Sequence, residues 1–261
     1  MNSRHDVYLK EMGLGPRWRL RRAPLEDIPE VEREPDPVAV PPVVEAVPEP
    51  VRFSPPSAAI PIPPPTLESP SPAGLDWPAL NAAIRACRAC PLHKTRTQAV
   101  PGVGDMQAEW LFVGEAPGAD EDVQGEPFVG QAGKLLDNML AGIGLKRGEK
   151  VYIANVLKCR PPGNRNPEAG EVQCCEPFLV RQVELLQPKL IVALGKFAAQ
   201  TLLGQEATIA SLRGKVHQYR GIPLIVTYHP AYLLRNLPDK AKAWQDLCLA
   251  VKTRRALEEP A

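Results

Sequence analysis

The chain has 261 residues, including 31 prolines, and its formal net charge is +1 at pH 7. A net charge this close to zero does not by itself indicate a polyanionic partner. No apolar run approaches the ~20 residues of a membrane-spanning helix, and the polar segment from Met1 to Arg22 lacks a signal-peptide core. We therefore expect a cytoplasmic protein without a membrane partner.

Composition divides the chain into three regions. Residues 1–24 form a short mixed segment with a basic end, which we interpret as an arm that binds a partner or DNA. Residues 25–74 are dominated by Pro, Val, Ala, Glu and Ser. Because proline removes backbone donors and favours extended conformations before it, this region is predicted to be a disordered, semi-rigid linker. Residues 75–257 are numerous enough for one domain with a substantial core.

Strands and helices alternate along this third region. Asp76 followed by Trp77 and Pro78 predicts a capped helix that reaches Cys87. Further helices are predicted over 134–143, 171–186, 196–203 and 239–256, and strands over 110–113, 151–157, 190–194 and 223–227. Such alternation predicts an α/β fold with a parallel sheet that helices cover on both faces.

Polar motifs follow three of the predicted strands. The segment 114–118 (GEAPG) follows the first, Asn155 falls at the end of the second, and the segment 228–230 (YHP) follows the fourth. Ligands of parallel α/β sheets bind at the carboxyl ends of the strands. The sequence therefore predicts a binding site formed by these three segments.

Four cysteines form a complete set of soft metal ligands: Cys87, Cys90, Cys159 and Cys175. In a reducing compartment they are better interpreted as ligands than as disulfides. Four thiolates suit tetrahedral zinc or an iron–sulfur cluster, and the spacing does not choose between the two. The other two cysteines, Cys174 and Cys248, are predicted to be free thiols.

The motifs of this domain resemble those of the family 4 uracil-DNA glycosylases, the iron–sulfur branch of that superfamily. The similar segments are 87–104 (CRACPLHKTRTQAVPGVG), 114–140, 154–167 (ANVLKCRPPGNRNP) and 226–235 (VTYHPAYLLR). The resemblance implies a three-layer α/β/α sandwich with a four-stranded parallel sheet, and excision of uracil from DNA. It also implies a [4Fe–4S] cluster on Cys87, Cys90, Cys159 and Cys175. Cys175 is preferred to Cys174 because the family places its last ligand two residues before Pro-Phe.

The resemblance also implies roles in the base pocket. Asn155 would read the uracil edge, Phe128 would stack on the ring, and His229 would donate to uracil O2 as negative charge develops. The backbone of Gly114, Glu115 and Ala116 would contact the base. Glu115 and Glu121 are both candidates for positioning water or stabilising the cationic sugar. A strong general base is not visible, which favours a largely dissociative mechanism. Asp120 and Asp122 are interpreted as a solvated acidic turn.

Two further groups of residues are expected to contact DNA. The segment after His229 is predicted to be a loop that acts as a wedge in the duplex, with Tyr232, Leu233, Leu234 and Arg235. Phosphate contacts are predicted for Lys94, Arg96, Lys158, Arg160, Arg165 and Arg235. The cluster is interpreted as a structural staple beside this surface rather than as a redox centre.

Residues 3–22 (SRHDVYLKEMGLGPRWRLRR) resemble the N-terminal peptide of the psi subunit of the bacterial DNA polymerase III holoenzyme. That resemblance implies docking on the clamp loader, in bacterial cytosol or nucleoid, and a basic arm that touches DNA is the alternative. We expect a monomer that releases uracil from DNA by hydrolysing its N-glycosidic bond. The alternatives are a non-catalytic replisome adaptor on the same fold and the covalently trapping branch of the superfamily, whose basic insertion is absent from 161–167.

Overall fold

The computed structural model describes residues 71–258. The predicted arm and all but the last four residues of the predicted linker lie outside this range. Within residues 71–258, no helix has both the length and the apolar character needed to cross a membrane.

The described chain alternates strands and helices as predicted. The helices are α1 (Trp77–Ala86), α2 (Ala119–Gln124), α3 (Gln131–Gly142), α4 (Ala169–Leu186), α5 (Lys196–Leu203), α6 (Ile209–Leu212), α7 (Pro230–Arg235) and α8 (Lys240–Ala256). The strands are β1 (Val103–Gly104), β2 (Trp110–Gly114), β3 (Val151–Asn155), β4 (Leu190–Leu194), β5 (Val216–Tyr219) and β6 (Ile222–Thr227). Short 3-10 turns lie at Pro91–Lys94, Pro162–Asn164 and Leu237–Asp239.

These strands form one mixed sheet in the order β1-β3-β2-β4-β6-β5. The four central strands are parallel, as predicted, and β1 and β5 add an antiparallel strand at each edge. The predicted four-stranded sheet is therefore wrong in strand number, because the sheet has six strands in the described residues. Both added strands are short and lack a continuous buried apolar run, so they carry a weak sequence signal.

Alternate side chains of the central strands enter two separate cores. Trp110 and Phe112 of β2 pack on one face with apolar residues of α3 and α8. Leu111 and Val113 pack on the other face with residues of α4 and α5. All five residues of β2 are buried, as expected for a parallel strand covered on both faces. The result is the predicted three-layer α/β/α sandwich.

Helix positions agree with the sequence predictions except near the candidate site. The side chain of Asp76 accepts a hydrogen bond from Ala79 N at 3.0 Å and caps α1, as predicted. The segment predicted as a wedge loop is instead the short helix α7. It begins at Pro230, which occupies a favourable first-turn position, and the side chain of His229 caps it by accepting from Ala231 N.

Candidate active site

A cavity of about 450 Å³ opens at the carboxyl ends of β2, β3 and β6. In the parallel register Gly114 lies beside Asn155, and the three predicted motifs meet here. The cavity is lined by Glu115, Ala116, Pro117, Gly118, Glu121, Phe128, Ala132, Asn155, Pro161, Asn164, Arg165, His229, Ala231, Tyr232 and Arg235. The size and the mixture of aromatic and polar side chains suit a small planar ligand.

Asn155 is the most constrained polar group of the cavity. Its side chain is buried, and its Oδ1 atom has no hydrogen-bond partner within residues 71–258. A buried amide oxygen without a partner is costly, so an acceptor of this kind at a cavity wall points to a donor on a ligand. The backbone carbonyl of Asn155 is held from behind by Lys158 Nζ at 2.7 Å.

Gly114 leaves the space that this amide and the neighbouring ring occupy. A Cβ atom at position 114 would lie 2.4 Å from Asn155 Oδ1 and 2.6 Å from Phe128 Cζ. These separations are too short for any side chain. Gly114 does not itself line the cavity. Because it has no side chain, it lets β2 approach the side chains of Asn155 and Phe128 closely.

Phe128 adopts a backbone conformation that is rare for a residue with a side chain. Its φ is +57°, in the left-handed region, and its ring lies 5.5 Å from the His229 ring between centroids. Arg147 stabilises this conformation by donating to Pro127 O at 2.9 Å and to Phe128 O at 2.8 Å. Its Nε atom donates to Asp137 at 2.9 Å. Gly133 permits the close approach, because a Cβ there would lie 1.7 Å from Phe128 O.

The two candidate carboxylates have different surroundings. The Glu121 oxygens accept hydrogen bonds from Gly118 N and Val129 N, both at 3.0 Å, and from Gly130 N at 3.3 Å. Glu121 therefore ties together the two loops that form the cavity wall. The carboxylate of Glu115 makes no hydrogen bond within residues 71–258, and burial raises its pKa above the ordinary value.

His229 is neutral at physiological pH. Burial, together with the nearby charge of Arg235, lowers its pKa to about 4. Its Nδ1 atom accepts a hydrogen bond from Ala231 N at 3.1 Å. Because Nδ1 is an acceptor, the neutral ring carries its proton on Nε2, which is then a donor. Gly195 leaves room for the ring, since a Cβ there would lie 2.9 Å from His229 Cβ.

The cysteine site, by which we mean Cys87, Cys90, Cys159 and Cys175, lies beside this cavity. Cys87 caps the end of α1, Cys90 precedes a 3-10 turn, Cys159 follows β3, and Cys175 lies in α4. All four pack into one apolar cluster. Burial raises the pKa of Cys90 to about 11 and that of Cys175 to about 12, and mutual repulsion among the thiolates of the site contributes to both.

This donor set fits a soft metal centre, because binding of the metal would displace the thiol protons. Within residues 71–258, no three Cys, His, Asp or Glu side chains are grouped as a single metal ion requires. A multi-iron cluster binds each cysteine through a different iron atom. Cys175 is buried, whereas Cys174 is half-buried and its Sγ donates to Ala89 O at 3.4 Å.

Three predictions about individual residues are wrong. Lys158 cannot contact phosphates, because only 1 % of it is exposed and its Nζ lies inside the protein. Leu233 cannot act as a wedge in this conformation, because it is buried in the core. Asp122 is not solvated, since it is buried and accepts hydrogen bonds from Thr97 N and Gln98 N.

The remaining wedge and phosphate residues are distributed around the cavity. Tyr232 and Arg235 line it, and Leu234 is 42 % exposed. Arg165 also lines it but is held in a bidentate ion pair by Glu171. Arg96 makes its hydrogen bonds at the cysteine site. Lys94 and Arg160 are absent from the cavity wall.

Arg147 is the residue that sequence reasoning missed. It lies in a polar turn between α3 and β3, 19 positions from the carbonyl it holds, and no local pattern marks it. An isolated basic residue in a turn carries no such signal. The positive φ of Phe128 was equally hidden, because phenylalanine does not favour that region.

Comparison with known proteins identifies the family. The sequence model of the uracil DNA glycosylase superfamily matches residues 101–248. The chain belongs to this superfamily. It is 55% identical over 159 residues to the type-4 uracil-DNA glycosylase of Archaeoglobus fulgidus, covering 58% of this chain and 79% of that protein.

Two further relatives carry the same name. The type-4 uracil-DNA glycosylase of Pyrobaculum aerophilum is 44% identical over 183 residues, covering 67% of this chain and 93% of the relative. That of Thermotoga maritima is 46% identical over 165 residues, covering 62% and 85%. The predicted superfamily is thereby confirmed. The predicted psi-like segment, residues 3–22, lies outside both the superfamily match and the described residues, and it stays a prediction.

Proposed function

We propose that this chain is a DNA repair enzyme that removes uracil from DNA by hydrolysing its N-glycosidic bond. The bond between uracil N1 and the anomeric carbon breaks, and its electron pair stays with uracil. Water then forms the new bond to the anomeric carbon, which leaves an abasic site. The water supplies one proton to the uracil anion, directly or through solvent. Membership of the superfamily and the three type-4 relatives support this reaction.

The observation that carries the assignment of the pocket is the unpartnered Asn155 Oδ1 atom at the cavity wall. The side-chain oxygen can accept from uracil N3–H while the amide nitrogen donates to O4. Cytosine presents the opposite pattern at these positions and would leave two buried groups unpaired. Such mismatches are strongly disfavoured at a buried site. Asn155 is thus the residue that reads the base.

Phe128 and His229 act on the same flipped base. The Phe128 ring offers a face for stacking, and the backbone of Glu115 and Ala116 borders the base. The Nε2–H of neutral His229 donates to uracil O2, where negative charge develops as the bond breaks. A neutral donor stabilises this anion without first losing a proton, and a preorganised donor of this kind is worth ~10²–10³ in rate.

Glu115 is the better of the two candidates for the carboxylate that faces the sugar. The oxygens of Glu121 are occupied by three backbone donors, whereas those of Glu115 are free to interact with a cationic sugar or to position water. In this role Glu115 does not have to deprotonate the attacking water before the N-glycosidic bond breaks. This arrangement suits a largely dissociative mechanism in which Glu115 stabilises the sugar cation.

The cysteine site holds a [4Fe–4S] cluster on Cys87, Cys90, Cys159 and Cys175. When bound, the cluster supplies a rigid cross-link between the segment after α1 and the segment joining β3 to α4. The protein residues of the site already bring these segments together, and no step of the reaction needs electron transfer. Anaerobically purified protein should contain about four irons per chain. Cys175→Ser should lose iron and colour, whereas Cys174→Ser should keep both.

DNA binding involves the rim of the cavity. Leu234 is the exposed apolar residue of α7 and is the side chain best placed to fill the gap left by a flipped nucleotide. Tyr232 and Arg235 line the cavity beside it, and Arg235 is exposed and suited to a phosphate contact. Leu234→Ala should therefore weaken excision more from duplex than from single-stranded DNA, where no gap has to be filled.

The N-terminal arm recruits the enzyme to the clamp loader of a bacterial replisome, and the enzyme acts as a cytosolic monomer. The proposed recruitment rests on the psi-like pattern of residues 3–22. A peptide of residues 1–25 should bind the clamp-loader complex and compete with psi, and Trp18→Ala should weaken that binding. Salt-dependent loss of DNA affinity on deletion of residues 1–70, without peptide binding, would identify a DNA-binding arm instead.

Incubation with a uracil-containing oligonucleotide, followed by alkaline cleavage, tests the function directly. Asn155→Ala should lower the single-turnover rate by ~10²–10³ while the fold and the iron content persist. Asn81→Ala is a matched control, because Asn81 also has a buried oxygen without a partner but lies in α1. Equal rates for wild type and Asn155→Ala would mean that the base binds elsewhere.

A further inference from the structure

Arg96 connects the two halves of the cysteine site. Its Nη1 atom donates to Cys159 Sγ at 2.8 Å. Its Nη2 atom donates to Arg85 O at 2.7 Å and to Cys87 O at 3.0 Å. One guanidinium therefore contacts a sulfur from the segment after β3 and the backbone that carries the first cysteine. This contact uses the planar fork that distinguishes arginine from lysine.

Lys158 is a second cation at the same site. It is 1 % exposed, and its backbone N–H donates to Cys175 Sγ at 3.2 Å. Its Nζ atom donates to Asn155 O at 2.7 Å and to Gln182 Oε1 at 2.6 Å. Gln182 is fixed in this orientation because its Nε2 atom donates to Pro101 O at 2.7 Å. The ammonium group is thus enclosed by neutral acceptors.

Neither cation has a carboxylate partner within residues 71–258, where the hydrogen bonds of both end on neutral groups. The buried carboxylate Asp122 influences Cys159 but accepts its own hydrogen bonds from backbone amides. Burial of a cation is unfavourable unless an anion compensates it. Lys158 is such a buried cation, and the partly exposed Arg96 guanidinium lies beside the same sulfurs. The compensating anion therefore comes from the occupied cysteine site.

We propose that Arg96 and Lys158 neutralise the charge of the iron–sulfur cluster and its thiolates. This inference rests on the proposed [4Fe–4S] occupant. Four thiolates contribute four negative charges and the oxidised cluster core contributes two positive charges, which leaves two negative charges. The positive charges of Arg96 and Lys158 balance them. In the loaded protein the Arg96 contact becomes a charge-assisted N–H···S⁻ hydrogen bond.

Two measurable properties follow from this balance. Reduction of the cluster adds one negative charge, so loss of either nearby cation should lower the reduction potential. The same loss should weaken retention of the cluster, since groups that support metal ligands typically contribute about 10- to 100-fold to affinity. Lys158 also holds the backbone of Asn155, so it joins the cysteine site to the proposed base reader.

The experiment compares wild type, Arg96→Gln, Arg96→Lys and Lys158→Met, all purified anaerobically. Arg88→Gln is the matched control, because Arg88 lies between Cys87 and Cys90 in sequence but is exposed to solvent. The readouts are iron content, the rate of bleaching by a chelator, and the reduction potential from a titration followed by electron paramagnetic resonance. None of them depends on catalysis.

Arg96→Gln and Lys158→Met should have lower potentials than wild type and bleach about 10- to 100-fold faster. The reduction potential of Arg96→Lys should stay close to that of wild type because the positive charge is kept. Arg88→Gln should match wild type. If Lys158→Met does not fold, the Gln and Lys variants of Arg96 decide alone. Iron-loaded Arg96→Gln with unchanged potential and bleaching, or equal shifts for the Gln and Lys variants, overturns the inference. Wild type without iron overturns the cluster proposal and this inference together.

Discussion

Replacement of Arg147 by methionine tests how the pocket holds Phe128. The change keeps the apolar stem but removes the donors to Pro127 O and Phe128 O. At the low end of the free-energy range for hydrogen bonds from charged donors, these two bonds together stabilise the pocket conformation of Phe128 by about 3 kcal/mol. When the backbone of Phe128 leaves the left-handed region, the released strain offsets about 1 kcal/mol of this loss. The exposed partner Asp137 adds little. The net loss of about 2 kcal/mol corresponds to roughly 30-fold in kcat/KM.

The assay is excision from a uracil-containing oligonucleotide, with inhibition by free uracil as an independent measure of base binding. Arg147→Met should weaken both. Lys146→Met is the matched control, because Lys146 is the adjacent basic residue and forms an exposed ion pair with Glu149. Its kcat/KM should stay within about twofold of wild type, as is usual for exposed pairs.

A double-mutant cycle separates positioning of the ring from general support of the fold. If Arg147 acts through Phe128, Arg147→Met should lower kcat/KM little further once Phe128→Ala is present, while its effect on thermal stability persists. An unchanged kcat/KM in Arg147→Met alone would refute a positioning role for Arg147. An equal loss in the wild-type and Phe128→Ala backgrounds refutes it as well.

Three further results are expected. His229→Gln should retain more activity than His229→Ala because it keeps a neutral donor. The pKa of His229, about 4, predicts no break in the wild-type rate near pH 6.5, which a pH–rate profile checks. The ionised form of Glu115 is lost as pH falls through its raised pKa, so kcat should decline on the acid side, and Glu115→Gln should remove that decline. Gly114→Ala should abolish free-uracil binding measured by calorimetry, because the added methyl collides with Asn155 and Phe128.

Much of the sheet could be predicted because its central strands are short buried apolar runs. Trp110–Val113 and Leu190–Leu194 are apolar throughout and are strands in the structure. The parallel arrangement then brings the ends of β2, β3 and β6 together, and the motifs after them meet in one cavity. The order of the strands in the sequence and the parallel topology of the sheet thus suffice to locate the site.

The failures of prediction arise where tertiary contacts override local character. Lys158 follows a strand next to a cysteine and suggests a surface cation, yet Gln182 and the carbonyl of Asn155 hold its ammonium group inside the protein. Leu233 follows the polar motif 228–230 but faces the core, because the segment is helical and turns it inward. Burial of such residues depends on distant partners that the local sequence does not specify.

The central claim is that the Asn155 amide reads uracil, and Asn155→Asp tests it most directly. The change keeps size and shape but replaces the donor that faces uracil O4 by an acceptor. The measurement is the single-turnover excision rate on matched oligonucleotides with uracil or cytosine. We predict that excision of uracil falls by ~10²–10³ and that the preference for uracil over cytosine narrows. Wild-type excision of uracil with unchanged preference would contradict the account.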